Sequence, residues 1–91
     1  MIKTFTSKEL AELFTSGDNH RIRDEFKVPC LRRLDILEQA QSLTDIDMPG
    51  FHLHALSGGS GRYGLQVHGP WYMTFDWEEG KVFRVNLKQY H

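Results

Sequence analysis

The chain has 91 residues, of which 40% are apolar, and this size and composition suit one small domain, residues 1–91, with its own core. Eleven Lys and Arg side chains against twelve Asp and Glu give a formal net charge of -1, which excludes a protein that captures nucleic acid by overall charge. No apolar run approaches the roughly 20 residues of a membrane-spanning helix, so we expect no membrane partner. A single cysteine and the absence of a signal peptide predict a cytoplasmic location.

The first elements in chain order are a short strand and a helix. The strand is predicted over residues 2–5, and the helix starts near Ser7. Thr6 and Glu9 have the spacing of a capping box, in which two side chains satisfy the free N–H groups at a helix start. Gly17 supplies the stop, because glycine readily adopts the left-handed conformation that ends many helices.

A second helix is predicted from about Val28 to Leu43. Pro29 suits its first turn, where the missing N–H would be unpaired anyway. Apolar residues recur every three positions and predict a buried stripe, with Cys30 on or beside it as a buried structural thiol. The stripe consists of Leu31, Leu34, Leu37 and Ala40. The positions predicted to face water are Arg32, Arg33, Asp35 and Glu38.

From Phe51 onward the apolar period changes to two, which is typical of half-buried strands. Four strands are predicted, at about 51–56, 63–68, 71–78 and 81–90. The predicted connections between these strands are a loop at "SGGSG", a tight reversal at "HGP" and a hairpin turn at "EEGK". Short connections between successive strands predict an antiparallel meander. The fold class is therefore α+β, with two N-terminal helices packed on one face of an antiparallel sheet.

Alternation along the strands sorts the side chains into two faces. The predicted core face carries Phe51, Leu53, Ala55, Tyr63, Leu65, Val67, Trp71, Met73, Phe75, Trp77, Phe83, Val85 and Leu87. The predicted polar face carries His52, His54, Gln66, His68, Tyr72, Thr74, Arg84, Asn86, Lys88 and Tyr90. Histidines exchange protons near neutral pH, so this face could do acid-base chemistry. An exposed sheet face also carries polar residues in any case, and both interpretations remain open.

The histidines of this face could also be interpreted as ligands of a metal ion. His52 and His54 are two apart on one strand, His68 could approach from a neighbouring strand, and neutral imidazoles suit zinc. No Cys, Asp or Glu stands nearby at ligand spacing, and a lone His-x-His pattern is a weak signal. We therefore predict no metal and no other cofactor.

Four segments of the chain resemble the HigB toxins of bacterial toxin-antitoxin modules, which belong to the RelE/ParE superfamily. These segments are "MIKTF", "LHALSG", "WYMTFDWEEGKVFRVN" and the final "YH", and the resemblance covers nearly the whole chain. It implies an mRNA interferase, a ribosome-dependent endonuclease that cleaves mRNA without a metal by attack of a ribose 2′-OH. It also implies neutralisation by a HigA-like helix-turn-helix antitoxin, with DNA contacted only through the antitoxin complex.

The resemblance also assigns candidate residues. The implied catalytic residues are His54, Tyr90 and His91, with Tyr72 as a fourth candidate. The candidate RNA contacts are Arg62, His68, Arg84 and Lys88.

Some positions depart from the family pattern in their charge. Ser57 stands for a common lysine, Gln66 and Tyr72 stand for common arginines, and Gln89 stands for an acidic residue. Because a phosphorane needs fixed cations nearby, lost cations should weaken cleavage. Two alternatives therefore stay open: a catalytically attenuated or inactive binding protein of the same fold, and a ParE-like gyrase inhibitor.

Overall fold

The computed structural model describes residues 1–56 and 61–90. Two α-helices come first, α1 (Lys8–Ser16) and α2 (Asp24–Gln39), followed by a 3₁₀ turn (Leu43–Asp45). Four strands follow, β1 (His54–Leu56), β2 (Arg62–His68), β3 (Trp71–Glu78) and β4 (Lys81–Gln89). They form one antiparallel sheet in the order β1-β2-β3-β4, which confirms the predicted meander and the α+β fold. The predicted "SGGSG" loop lies mostly outside the described residues.

Helix α1 begins and ends where the sequence predicts. The Ser7 hydroxyl accepts a hydrogen bond from the Leu10 N–H at 3.1 Å, so Ser7 is the N-cap and the predicted cap at Thr6 is one residue off. Gly17 has φ 84° and donates its N–H to the Leu13 carbonyl at 2.9 Å, which ends the helix. Leu10 and Leu13 are fully buried.

Helix α2 lies about four residues earlier in the chain than predicted. Asp24 and Glu25 occupy its first turn, where carboxylates are stabilised by the helix dipole, and Pro29 stands inside the helix instead of at its start. The helix ends at Gln39 because the Asp45 carboxylate accepts the next two free N–H groups, those of residues 41 and 42. These bonds lower the pKa of Asp45.

The predicted exposure of Arg33 is wrong. Its side chain is on the buried side of α2, with Cys30 and Leu37 close to one turn away on either side. The guanidinium can be buried because it donates hydrogen bonds to two backbone carbonyls. Its Nε donates to the Gln66 oxygen at 2.7 Å, and its Nη1 donates to the Pro29 oxygen at 2.9 Å. Cys30 is fully buried, as predicted, while Leu31 is only half-buried.

Residues 2–5 do not form a full strand, but they lie along the outer edge of β4. Two isolated parallel bridges join Ile2 to Val82 and Phe5 to Val85. The Lys3 N–H donates to the Val82 oxygen at 2.7 Å, and the Val82 N–H donates to the Met1 oxygen at 2.9 Å. The N-terminal segment therefore covers the edge that β4 would otherwise expose.

A bulge in β4 changes which side chains face the helices. Thr74 pairs with Asn86 but Asp76 pairs with Phe83, so β4 contains one extra residue between these pairs. Arg84 adopts φ 51° there, and its N–H donates to the Thr4 hydroxyl at 2.8 Å. Val82 is buried as a result, and Phe83, predicted for the core face, lies opposite Asp76 on the polar face.

A second bulge, in β2, moves His68 away from the polar face. Gln66 pairs with Tyr72, whereas His68 pairs with Trp71, so the extra residue lies between Gln66 and His68. Trp71 packs against the core, and the His68 ring lies 5.7 Å from the ring of Phe26 in α2. The predicted position of His68 beside His54 is therefore wrong, because the bulge reverses the alternation at the end of the strand.

Candidate active site

Three aromatic rings meet on the sheet face that the helices leave open. The imidazole of His54 lies edge-on to the phenol ring of Tyr72, with centroids 5.2 Å apart. Tyr72 also meets Tyr90 edge-on at 5.8 Å. We call His54, Tyr72 and Tyr90 the ring cluster. It brings together one imidazole, which can accept or donate a proton, and two phenolic hydroxyls that can donate hydrogen bonds.

The sheet register explains why these rings meet. His54 pairs with Gly64 across β1 and β2, and glycine leaves space above the sheet that the imidazole occupies. A Cβ at residue 64 would lie 3.4 Å from His54 Cε1 and 3.6 Å from its Nε2. Tyr90 is placed by its N–H, which donates to the Pro70 oxygen at 2.7 Å.

Lys88 supplies a cation beside the ring cluster. It pairs directly with Tyr72 across β3 and β4, and its side chain is exposed. Directly paired residues share a face of the sheet, so the ammonium group can reach an anion held over Tyr72. Lys88 forms no ion pair within residues 1–56 and 61–90.

A second polar group lies four residues beyond Tyr72 along β3. The Asp76 carboxylate accepts from Arg62 Nη1 at 2.8 Å, from Arg84 Nε at 2.5 Å and from Arg84 Nη2 at 3.2 Å. Arg62 also donates from Nη2 to the Thr74 hydroxyl at 2.9 Å, and Thr74 is fully buried beneath it. We call Arg62, Asp76 and Arg84 the Asp76 clamp.

The Asp76 clamp changes the electrostatics of this face. Both arginines were predicted as RNA contacts, yet they share one carboxylate, so the three residues together carry a net charge of +1 rather than +2. Arg84 first, and then Arg62, holds the pKa of Asp76 below its usual range, so the carboxylate stays ionised at neutral pH. The partnership in turn raises the pKa of Arg84.

The described residues contain no group of three or more His, Cys, Asp or Glu side chains that could hold a metal ion. The predicted absence of a metal and of other cofactors stays a prediction. None of the helices described is long and apolar enough to cross a membrane.

Comparisons with known proteins agree with this architecture. The family model described as the RelE-like toxin of type II toxin-antitoxin system HigB matches residues 3–91. The chain belongs to this HigB family. The endoribonuclease HigB of Proteus vulgaris is 29% identical over 100 aligned positions that span the full length of both proteins. Since the family consists of type II toxins, an antitoxin is the expected partner of this HigB-family chain.

The structure brings together some of the predicted residues and separates others. His54, Tyr72, Tyr90 and Lys88 share one region of the open face. Arg62 and Arg84 lie on the same face but are engaged by Asp76, and His68 lies on the helix side. The predictions for His91 and Ser57 fall outside the described residues.

The sequence did not predict the roles of three residues at this site: Gly64 beneath His54, Thr74 as a buried anchor for Arg62, and Asp76 as the partner of two arginines. Asp76 lies two residues after Thr74 and four residues after Tyr72 in β3. Regular strand alternation therefore predicts that its carboxylate lies on the polar face with them. Its pairing with Arg62 depends on the register between β2 and β3, which alternation alone does not give. The importance of Gly64 likewise depends on the strand that pairs with it.

Proposed function

We propose that this HigB-family chain is a metal-independent endoribonuclease that cleaves mRNA on the ribosome. The observation that carries the proposal is the ring cluster with Lys88 beside it: a proton acceptor, two hydroxyl donors and a cation on one open sheet face. Family membership and the full-length similarity to an endoribonuclease favour this function over an inactive binding protein or a gyrase inhibitor.

The proposed reaction needs one base, one acid and positive charge near the phosphate. His54 takes the proton from a ribose 2′-OH, and that oxygen attacks the adjacent phosphorus. The bond from phosphorus to the 5′-oxygen breaks, and an acid protonates the departing oxygen. The products are a 2′,3′-cyclic phosphate on one fragment and a 5′-hydroxyl on the other.

The two tyrosines suit the acid side of this reaction. A phenolic hydroxyl can donate a proton to the leaving oxygen or a hydrogen bond to the phosphate. Tyr90 is 39% exposed and so reaches a bound substrate, while Tyr72 lies between it and His54. His91 is a further candidate acid, and Lys88 stabilises charge on the phosphorane.

The charge of the chain supports a role for the ribosome. A protein with a formal net charge of -1 attracts free RNA only weakly, because nonspecific affinity for RNA comes mainly from neutralised phosphates. The Asp76 clamp lowers the positive charge of the open face further. A ribosome that holds the mRNA in place would supply the binding that this surface lacks, and it would fix the location as the cytoplasm.

Cleavage of a defined mRNA in a reconstituted translation reaction, mapped by primer extension, tests the proposal. Replacing His54 by Ala should lower the cleavage rate by roughly 10² to 10⁴, the contribution typical of a general acid or base. His20→Ala is the matched control, because His20 is exposed in the connection between the helices. Equal cleavage by the wild type and His54→Ala, or no cleavage by the wild type, would contradict the proposal.

The antitoxin partner is proposed to be a HigA-like helix-turn-helix protein, through which any DNA contact would be made. The product of the neighbouring gene, co-expressed with this chain, should co-purify with it and relieve growth arrest. Growth arrest that persists despite a stable complex would contradict neutralisation by that protein.

A further inference from the structure

His54 stands on an edge strand of the sheet as described over residues 1–56 and 61–90. Within these residues, β1 runs from His54 to Leu56 and pairs with β2. A base that must meet a 2′-OH at hydrogen-bonding distance needs a fixed ring and a fixed pattern of ring protons. The neighbouring segment, residues 51–53, provides both.

A buried group of contacts between Arg33, Phe51 and Gln66, which we call the Arg33 cluster, holds the start of this segment. The Gln66 N–H donates to the Phe51 oxygen at 2.7 Å, and Arg33 Nε donates to the Gln66 oxygen, also at 2.7 Å. The Arg33 guanidinium lies 4.2 Å from the centre of the Phe51 ring. Phe51 is 2% exposed and Arg33 is 7% exposed, so the segment is anchored to both β2 and α2.

His52, the residue after Phe51, has a strained backbone conformation. Its φ is 49°, in the left-handed region that side chains other than glycine rarely adopt. Its imidazole is exposed, whereas its carbonyl oxygen lies 3.0 Å from His54 Nδ1. A backbone carbonyl can only accept a hydrogen bond, so a neutral His54 must carry its proton on Nδ1 to form this bond.

We propose that the backbone carbonyl of His52 selects the Nδ1–H tautomer of His54, so that Nε2 is the nitrogen that exchanges the substrate proton. The left-handed backbone at His52 directs its carbonyl toward His54 Nδ1. The Arg33 cluster holds that backbone in place. Both His52 and Arg33 are then positioning residues. The imidazole fits closely over Gly64, where a Cβ would lie 3.6 Å from Nε2. The catalytic meaning of the tautomer rests on the proposed function, but the tautomer itself does not.

The selection has a chemical consequence that can be measured. Free neutral histidine favours the opposite tautomer, with its proton on Nε2. A His54 ring in that form would carry N–H, not a lone pair, at Nε2. It could not accept the 2′-OH proton there, just as a wrongly protonated histidine fails in a hydrolase triad.

Two substitutions at residue 52 separate the backbone from the side chain. His52→Gly and His52→Val both remove the imidazole and keep the carbonyl. Glycine accepts a positive φ without strain, while the β-branched valine disfavours it. We expect only the valine variant to turn the carbonyl away from His54. Thermal unfolding of both variants verifies that each is folded.

The direct readout is the long-range ¹H–¹⁵N correlation spectrum of His54, recorded at a pH at which the spectrum itself shows a neutral ring. The wild type and His52→Gly should show the proton on Nδ1, and His52→Val should show a substantial population with the proton on Nε2. In the cleavage assay, kcat of His52→Val should be roughly tenfold below that of His52→Gly with KM unchanged, because a tenfold change in tautomer population changes the competent fraction by about that factor.

Several outcomes would overturn the inference. One is a wild-type His54 with its proton on Nε2. Another is a valine variant with the wild-type tautomer, and a third is an equal loss of kcat in both variants, which would assign the effect to the His52 side chain. If the wild type shows the Nδ1 proton but cleaves no mRNA, the tautomer inference stands and the proposed function fails.

Discussion

Replacing Asp76 by asparagine removes the negative charge from the Asp76 clamp while keeping nearly the same shape. In the native protein this carboxylate holds Arg62 and Arg84, which lie on the same face as the ring cluster. We expect Asp76→Asn to lower stability and to raise affinity for RNA. The two effects have opposite signs and separate causes.

The loss of stability follows from the exposure of the three side chains. Arg84 is 64% exposed and Arg62 is 20% exposed, so solvent screens the first pair more than the second. An exposed pair contributes up to about 1 kcal/mol, and a hydrogen bond to a charged group about 1.5 to 3 kcal/mol. Asparagine keeps one acceptor oxygen, so we expect the free energy of unfolding to fall by about 1 to 2 kcal/mol at neutral pH.

The pH dependence of this loss has a defined sign. Arg84 and then Arg62 lower the pKa of Asp76 in the folded state, whereas the unfolded carboxyl has its reference value of about 3.9. The stabilisation is therefore complete above about pH 4 and is lost as the pH falls through the lower folded pKa. Urea unfolding should show a difference between wild type and Asp76→Asn that is full at neutral pH and narrows in acid.

The gain in RNA affinity follows from counterion release. Arg62 stays bonded to Thr74, so we expect Arg84 to be the cation that gains a phosphate contact. One additional contact to single-stranded RNA steepens the slope of log K against log salt by about 0.7, which corresponds to about fivefold tighter binding at 0.1 M salt.

Fluorescence anisotropy of a labelled RNA across a salt series measures this slope, in a His54→Ala background in which we expect cleavage to be slow. Glu25→Gln makes the same change in net charge on α2, which packs against the other face of the sheet, and should leave the slope nearly unchanged. Equal slopes for Asp76→Asn and its parent, or an equal increase in the Glu25→Gln control, would refute the argument that Asp76 masks an RNA-binding cation.

Three further predictions concern the groups that support the site. Gly64→Ala places a methyl group 3.4 Å from His54 Cε1, in ordinary van der Waals contact, so we expect the ring to keep its position and both cleavage and thermal unfolding to change little; a large loss of cleavage would show that the ring tolerates no side chain at residue 64. Arg33→Met removes two hydrogen bonds from a charged side chain to backbone carbonyls and should cost about 2 to 4 kcal/mol in urea unfolding, against about 0.5 kcal/mol or less for the exposed neighbour in Arg32→Met; similar losses in both would contradict a special role for Arg33. Burial raises the pKa of Cys30 to about 11, so iodoacetamide should alkylate it at mildly alkaline pH only after unfolding, and rapid alkylation of the native protein would show that the thiol is reachable.

The order of elements and the meander could be predicted from the sequence because each depends on local patterns. The period-two runs, the reversal at "HGP" and the hairpin glycine Gly80, which has φ 82°, all lie within a few residues of what they determine. The ring cluster could be predicted in part for the same reason, since His54, Tyr72 and Tyr90 fall on one side of regular strand alternation.

What could not be predicted depends on contacts between distant parts of the chain. The bulges in β2 and β4 moved His68 and Phe83 to opposite faces from those expected, and the β4 bulge is stabilised by Thr4, 80 residues away in sequence from Arg84. Arg33 is buried only because Gln66 and Pro29 offer carbonyls to it. No periodicity within α2 carries that information.

The central claim is that this chain cleaves RNA by 2′-OH attack with protein groups as acid and base. The end groups of the RNA fragments released in the translation reaction test it most directly. We expect a 2′,3′-cyclic phosphate at the new 3′ ends and a 5′-hydroxyl at the new 5′ ends, so that polynucleotide kinase labels the fragments without prior phosphatase treatment. Fragments that carry a 5′-phosphate and a 3′-hydroxyl would show that water, not the neighbouring ribose, attacks the phosphorus, and would contradict the account.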